Sequence, residues 1–174
     1  NILPAAEDMQ FASAQFPQVY EVSTSGGRPI MFSSMPMEDI SISMDGKTLL
    51  YHDKKGYEDA WRKHHTSSIT RDIWMCTLEE ERSYKKLSNF NGEDRNPVWA
   101  SADTYYYLSE QNGSFNVYKG NTNGGMPTQI TKHEKHPVRF LSRANNGTLC
   151  YGYDGGIYTL KEGDQPQKVD IKVV

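Results

Sequence analysis

A short sequence pattern recurs four times along the chain, and it constrains the fold more than any other feature. In each copy a β-branched residue precedes a large aromatic residue, and the four aromatic residues lie 54, 44 and 40 positions apart. The copies are Gln18-Val19-Tyr20, Asp72-Ile73-Trp74, Asn116-Val117-Tyr118 and Gly156-Ile157-Tyr158. Internal repeats of roughly 20–50 residues are typical of solenoids and propellers, so one repeated unit builds the chain.

Strand and turn signals divide each unit into four short strands. Turn residues follow each aromatic residue, and pairs such as Asp45-Gly46 and Asn146-Gly147 predict tight hairpins upstream, in which both central residues have positive φ. Four antiparallel strands in about 40–45 residues match one propeller blade. The predicted blades are residues 1–34, 35–91, 92–133 and 134–174. A β-sandwich is the competing fold, but it would not repeat the pattern in one constant phase.

The first unit is shorter than the others. Residues 1–34 hold at most three predicted strands, near residues 9–12, 18–23 and 28–33, and three four-stranded units follow, which makes 15 strands. Propellers usually close with about four to eight blades. The sequence therefore predicts an all-β chain, a β-propeller fragment of about four blades whose first blade is incomplete. A self-contained ring of four blades is the alternative.

An open ring predicts an uncovered face on its last blade. A lone blade cannot bury both of its faces, so each blade depends on a neighbour. We expect the uncovered face to expose residues such as Leu149, Tyr151, Ile157 or Leu160. Exposed apolar area and unpaired strand edges also predict self-association of the chain.

Composition and charge exclude several classes of function. The chain of 174 residues has a net charge of -3 and a pI of about 6.0, which gives no general attraction to nucleic acid. No apolar run reaches the roughly 18 residues of a membrane-spanning helix. The start, from Asn1 to Pro4, has no basic and apolar leader pattern, so we expect a signal peptide to be absent or already removed. Cys76 and Cys150 each lie between apolar residues, which favours buried free thiols.

The histidine patterns predict no metal site, and no motif in the chain predicts a cofactor. His64 and His65 are adjacent, so on a helix they would point about 100° apart and could not easily share one ion. His133 and His136 are three positions apart rather than the four of the zinc peptidase signature, and Pro137 follows at once. That segment is predicted to be a connecting loop.

The second unit carries an insert, residues 54–71, about a dozen residues longer than the matching hairpin of the next unit. Scaffold proteins often place functional residues on such loops. Five cations against two acids make the insert basic, and two acid-before-base pairs favour a short helix near residues 57–64. One interpretation is an arm that binds a partner, and the other is a solvated helical decoration. The candidate binding residues are Tyr57, Trp61, Arg62, Lys63, His64, His65 and Arg71.

Beyond the generic blade pattern, the chain resembles a known family. Residues 44–51 (Met-Asp-Gly-Lys-Thr-Leu-Leu-Tyr) and residues 56–74, which contain most of the insert, resemble the amino-terminal propeller of bacterial tricorn-like serine peptidases. Residues 16–22, followed by Gly-Gly-Arg-Pro at 26–29, are similar to the same family. The resemblance covers nearly the whole chain, and the long insert is its most specific part.

The resemblance implies a function for the propeller but no catalytic residue. In that family a PDZ-like domain and a catalytic domain, with a Ser nucleophile and a His base, follow the propeller, and this chain holds no Gly-x-Ser-x-Gly motif. The implied role is a non-catalytic region of a secreted or periplasmic serine peptidase, a hydrolase, that gates or guides peptides. The implied partners are peptides and the remaining blades and catalytic domains of the parent peptidase.

A second function class stays open. Residues 41–45 and 98–103 more loosely resemble the WD-type repeats of TolB-like propellers. That likeness implies a stand-alone module for binding a protein or a glycan. Downstream coding sequence separates the two, because only a peptidase continues into a PDZ-like domain and a catalytic domain.

Overall fold

The computed structural model describes residues 18–54 and 69–172 of the chain. These residues form fourteen β-strands and no helix. The strands are β1 (Val19–Glu21), β2 (Ile30–Ser33), β3 (Met37–Ile42), β4 (Thr48–Asp53), β5 (Ile73–Thr77), β6 (Tyr84–Lys86), β7 (Asp94–Trp99), β8 (Thr104–Ser109), β9 (Asn116–Asn121), β10 (Thr128–Gln129), β11 (Arg139–Arg143), β12 (Leu149–Tyr153), β13 (Gly156–Leu160) and β14 (Gln167–Lys168).

The strands form one two-stranded sheet and three four-stranded sheets, all antiparallel. We call them blade 1 (β1–β2), blade 2 (β3–β6), blade 3 (β7–β10) and blade 4 (β11–β14). Within each blade every strand pairs with the next one in the chain, which is the meander of a propeller blade. The first strands β3, β7 and β11 lie beside each other and so form the inner side of the arc. The predicted all-β propeller fold is confirmed.

The predicted strands match the structure best inside the four-stranded blades. All four copies of the aromatic pattern lie on strands, namely β1, β5, β9 and β13. In blade 1 the strands predicted near residues 18–23 and 28–33 are β1 and β2, whereas the one predicted near residues 9–12 lies outside the described residues. The last strand, predicted over residues 167–173, is the two-residue β14 within the part that the structure describes.

The hairpin turns differ from the prediction in their backbone geometry. Of the Asp-Gly and Asn-Gly pairs in the described residues, only Asp154-Gly155 has positive φ at both positions, at 46° and 68°. At Gly46 and Gly147 the glycine alone has positive φ, and its N–H bonds the carbonyl three residues earlier. A turn followed by a left-handed glycine makes the longer class of hairpin loop, so these two positions need glycine for a different reason.

Each inner strand contains the same irregularity. The pairing shifts between Glu38 and Ser41 in β3, and at the matching places in β7 and β11. One residue in each shift has positive φ, and these are Asp39 at 50°, Asn96 at 56° and Phe140 at 57°. Such bulges bend a strand and raise its twist, which suits the crowded inner side of a propeller. They also give the three blades one common numbering, used below.

Alternating side chains of the second strands fill the seams between blades. On β4, Leu49 packs toward blade 1 with Cys76, whereas Leu50 packs toward blade 3. On β8, Tyr105 and Tyr107 pack toward blade 2, whereas Tyr106 and Leu108 pack toward blade 4. This is the two-faced filling expected from the period of two along a strand.

The residues expected on an uncovered face of blade 4 lie mostly on its covered face. Leu149, Tyr151 and Leu160 are buried against blade 3, so that expectation is wrong for all three. Ile157 is exposed as expected. The open face instead carries Cys150, which is half-buried rather than buried, because it occupies the alternate position on β12.

Candidate functional site at the base of the insert

The two ends of the insert converge on one carboxylate. The chain leaves the end of β4 and returns at the start of β5, on the edge of blade 2 where β3 begins. Lys54 Nζ lies 3.0 Å from Glu38 Oε1, and Arg71 Nε lies 3.6 Å from Glu38 Oε2. Because Glu38 belongs to β3, a blade residue holds both flanks of the insert at one point.

A histidine on the neighbouring strand completes the surroundings of Glu38. His52 Nε2 lies 3.3 Å from Glu38 Oε2, and His52 Nδ1 accepts a hydrogen bond from the Asn96 backbone N–H at 3.2 Å. Since Nδ1 accepts, a neutral ring carries its proton on Nε2 and donates it to Glu38. The hydrogen bond from His52, with the Lys54 ammonium, lowers the pKa of Glu38 to about 2, so Glu38 is an anion at neutral pH.

The same cluster joins blade 2 to blade 3. Arg71 Nη1 donates to Glu93 Oε1 at 2.9 Å, and Arg95 Nη1 lies 3.5 Å from the same oxygen. Glu93 is fully buried, and both arginine side chains are about nine-tenths buried. A buried carboxylate between two guanidinium groups is compensated only while both partners stay in place. The base of the insert is therefore fixed to the seam between blades 2 and 3.

The candidate binding residues are only partly within the described structure. Arg71 is buried and ion-paired inside the chain, so it anchors the insert. The other six lie outside the described residues, and their role in binding stays a prediction. They are Tyr57, Trp61, Arg62, Lys63, His64 and His65.

The acidic half of this cluster was not predicted from the sequence, although the repeat contains a signal for it. Counting from the bulges, Glu93-Asp94 occupies the place of Pro36-Met37 in blade 2 and of Pro137-Val138 in blade 4. Met37 and Val138 are core residues. Two acids at positions that are apolar in the other copies are an exception, and exceptions to a repeat mark places where function or specificity outweighs packing.

The remaining histidines and acids of the described residues bear on the predictions about metal binding and about the loop near His133. Among residues 18–54 and 69–172, no group of three or more His, Cys, Asp and Glu side chains is arranged to hold a metal ion. His133, from the segment predicted to be a loop, stacks on Tyr153 at 3.8 Å and shares a hydrogen bond of 3.0 Å with Tyr151. No helix in the described part is long and apolar enough to cross a membrane.

The meander of each sheet and the adjacent inner strands define the chain as a β-propeller protein. A family model described as the tricorn protease N-terminal beta propeller domain matches residues 1–166. The chain belongs to this family. The resemblance found in the sequence is thereby confirmed.

Solved structures with low sequence identity share the fold. The tricorn protease gives a TM-score of 0.72 at 17% identity, covering 92% of this chain and 15% of that protein. A putative TolB from Agrobacterium tumefaciens gives 0.68 at 17% identity, covering 87% and 55%. A puromycin-hydrolyzing peptidase of Mycobacterium tuberculosis gives 0.60 at 15% identity, covering 84% and 24%. This chain thus spans little more than half of the TolB protein and far less of the two enzymes. No curated protein matches it significantly in sequence.

Proposed function

We propose that the chain is the non-catalytic propeller region of a tricorn-like serine peptidase, where it packs on the catalytic part and gates or guides peptides. Membership of the tricorn propeller family is the observation that carries the proposal. The small share of the tricorn protease that the chain covers is consistent with further domains beside it. A periplasmic or secreted location belongs to the same proposal.

Exposed apolar side chains at both ends of the arc support the packing part of this role. At blade 1, Val22, Ile30 and Met31 are at least half exposed. At blade 4, Phe140 and Ile171 are exposed to a similar degree. Contiguous exposed apolar area marks surfaces that bind other protein. We propose that further blades of the parent propeller cover these two ends.

The insert is the proposed contact with the rest of the peptidase. Glu38 and Glu93 neutralise the two flanking cations, Lys54 and Arg71, so the charge available for a partner lies in residues 55–68, with three cations and two acids. The described base of the insert, at Lys54 and Arg71, lies at the seam between blades 2 and 3. The proposed contact residues are Tyr57, Trp61, Arg62, Lys63, His64 and His65.

Hydrogen exchange tests this packing role. We expect amides of residues 55–68, β13 and β14 to exchange more slowly in the protein encoded by the complete reading frame than in the 174-residue chain, because partner domains cover them. Strand β8 is buried within the chain and serves as the internal control, with equal protection in both proteins. Equal exchange of residues 55–68 in both proteins would contradict the contact role of the insert.

The proposal also predicts that this chain alone hydrolyses no peptide. The side chains of His52 and His133 are hydrogen-bonded to Glu38 and Tyr151 rather than to a serine or cysteine nucleophile. Incubation of the pure chain with a peptide library, followed by mass spectrometry, checks this. Cleavage that a single substitution within residues 1–174 abolishes would overturn it.

A TolB-like module that binds a protein or glycan is the second candidate. The coverage of 55% of the Agrobacterium tumefaciens TolB at a TM-score of 0.68 favours it. A reading frame that continues into a PDZ-like domain and a serine-containing catalytic domain would support the peptidase. A reading frame that ends with the propeller would support the binding module.

A further inference from the structure

A cleft runs along the face of blade 3 that looks toward blade 2. Its volume is about 340 Å³. It extends from Asp94 and Gln111, at the edge that carries the insert, to residues 124–127 in the β9–β10 turn at the opposite edge. Lys85 Nζ of blade 2 donates to the Thr122 carbonyl at 2.7 Å and holds the two blades together at that far end.

The cleft lining combines aromatic and apolar side chains with the polar residues Ser88, Asn89, Gln111 and Asn121. Tyr105, Tyr107, Phe90, Met126 and Pro127 line it. The rings of Tyr105 and Tyr107 are 5.4 Å apart and tilted by 38°, so they form a continuous surface. At position 120 of the adjacent strand, an added Cβ would lie 2.6 Å from the Tyr105 ring, which explains why glycine stands there. Such walls suit the aliphatic stem of a long side chain.

One carboxyl group, that of Asp94, lies in this lining. Asp94 is 1% exposed, and its Oδ1 atom has no hydrogen-bond partner within the described residues. By the common numbering it replaces the core residues Met37 and Val138 of the other blades. A buried polar atom that lacks a partner costs free energy, about 1–3 kcal/mol, so its presence at a core position calls for a compensating role.

The charges around Asp94 are predominantly negative. Asp72 and Glu110 face it, while the nearby Lys86 binds Asp72 at 2.9 Å. The remaining neighbours are the hydroxyl of Ser109 and the tyrosine rings of the cleft and core. Burial, with the charges of Asp72 and Glu110, raises the pKa of Asp94 to about 7. Among the described residues, Asp94 itself forms no salt bridge.

We propose that this cleft binds an ammonium group on an aliphatic stem, as in a lysine side chain, with Asp94 pairing the cation and the tyrosine and methionine walls holding the stem. Aromatic faces attract such cations and their methylene groups alike. The cation is drawn from a peptide that the propeller guides, so the source of the ligand rests on the proposed function. The cleft itself does not depend on that function.

Calorimetric titration of the 174-residue chain at pH 8 tests the proposal with three probes. They are acetyl-Ala-Lys-Ala-amide, the same peptide with norleucine in place of lysine, and cadaverine as a free diamine. We expect the lysine peptide and cadaverine to bind, and the norleucine peptide to bind at least about tenfold more weakly, since one lost charge pair accounts for about that factor. Binding of the norleucine peptide that is as tight as binding of the lysine peptide would overturn the proposal.

Two variants assign the binding to Asp94. Asp94→Asn should weaken the lysine peptide at least about tenfold, and the exposed turn variant Asp164→Asn should leave it unchanged. If Asp94→Asn does not fold, the comparison of the lysine and norleucine peptides on the wild-type chain still tests the proposal. At pH 6 the arriving cation should expel up to about one proton per site, detected as a buffer-dependent heat that vanishes by pH 8.5.

The outcomes separate this inference from the proposed function. If cadaverine binds through Asp94 and the lysine peptide does not, the cation site stands and the peptide-guiding role is contradicted. If neither binds at millimolar concentration, the cation site is contradicted and the packing role of the propeller is unaffected.

Discussion

The two complete seams of the arc are built on the same strand positions but from different chemistry. The seam between blades 3 and 4 is closed by a continuous apolar core that includes Leu108, Val138 and Leu149. The seam between blades 2 and 3 has a smaller apolar core, with the buried acids Glu93 and Asp94 beside it. Its insert-bearing edge is held by ion pairs, and a cleft opens along its length.

This difference shows which parts of a blade are fixed by folding. The hydrophobic alternation of the second strands is the same in both seams, because each must bury two faces. The residues at the start of the first strand differ between the two seams. A polar pair at this place lowers the stability of the fold but fixes a specific geometry. The polar seam is also the one that carries the insert.

The largest expected effect breaks the polar seam. Glu93→Gln replaces the buried negative charge between Arg71 and Arg95 with a neutral amide. Breaking a buried ion pair costs about 3–5 kcal/mol. Chemical denaturation should show a loss of this size in the free energy of unfolding. A loss below 1 kcal/mol would mean that the cluster is more solvated than its burial indicates.

Truncation of a side chain in the apolar seam should lower the free energy of unfolding somewhat less. This loss should not depend on the salt concentration. Leu149→Ala deletes a fully buried side chain between blades 3 and 4. Such substitutions cost about 2–5 kcal/mol, and we expect the loss to be the same at all salt concentrations. Ile157→Ala, on the exposed face of the same blade, is the matched control and should change stability little. A similar loss in both variants would show that the face of blade 4 that carries Ile157 is covered.

The pH dependence of stability should also distinguish the polar seam from the apolar one. Because folding raises the pKa of Asp94 from its ordinary value to about 7, the native state binds the proton more tightly than the unfolded chain. The stabilisation from the protonated Asp94 carboxyl is full below about pH 4 and is lost as the pH rises through 7. Asp94→Asn should therefore stabilise the chain at pH 8 by roughly 1–3 kcal/mol and have little effect at about pH 4. Thermal melts across this range provide the measurement, and a variant less stable at pH 8 would refute the assignment.

The smallest expected effect concerns an exposed ion pair at the apolar seam. Lys119 Nζ lies 2.8 Å from Glu162 Oε1, and Glu162 also accepts a hydrogen bond from Tyr106 at 2.6 Å. Exposed pairs contribute about 0–1 kcal/mol, so Glu162→Gln should fall within that range. It is the matched partner of Glu93→Gln, since both variants make the same chemical change. Equal losses in the two would remove the distinction between the seams.

The sequence predicts the blades well because their signals are local. A β-branched residue before an aromatic one, at a constant offset from a turn, places β5, β9 and β13 without any tertiary information. The period of two also separates the two faces of β12, but it does not say which face meets a neighbour. For that reason Leu149 and Tyr151 were expected on the wrong side.

The charged cluster was harder to predict, because ion pairs join residues far apart in the chain. Glu38 and Arg71 are separated by the insert, and Glu93 comes from the next blade. The available clue was comparative: aligning the repeats by their bulges places Glu93-Asp94 where the other copies have a proline followed by Met37 or Val138. Only the structure shows that Arg71 turns inward to contact Glu93.

Glu38 holds both flanks of the insert, and this affects how the length and sequence of residues 55–68 can change. A loop pays an entropic cost to bring its ends together, and here Lys54 and Arg71 are already held at a single carboxylate. With the ends fixed, each doubling of the length between them costs only about 0.6 kcal/mol. Segments of very different length and composition can then replace residues 55–68 while the blade beneath stays the same. The site is an attachment point, where new binding specificity can be gained by exchange of one segment without redesign of the propeller.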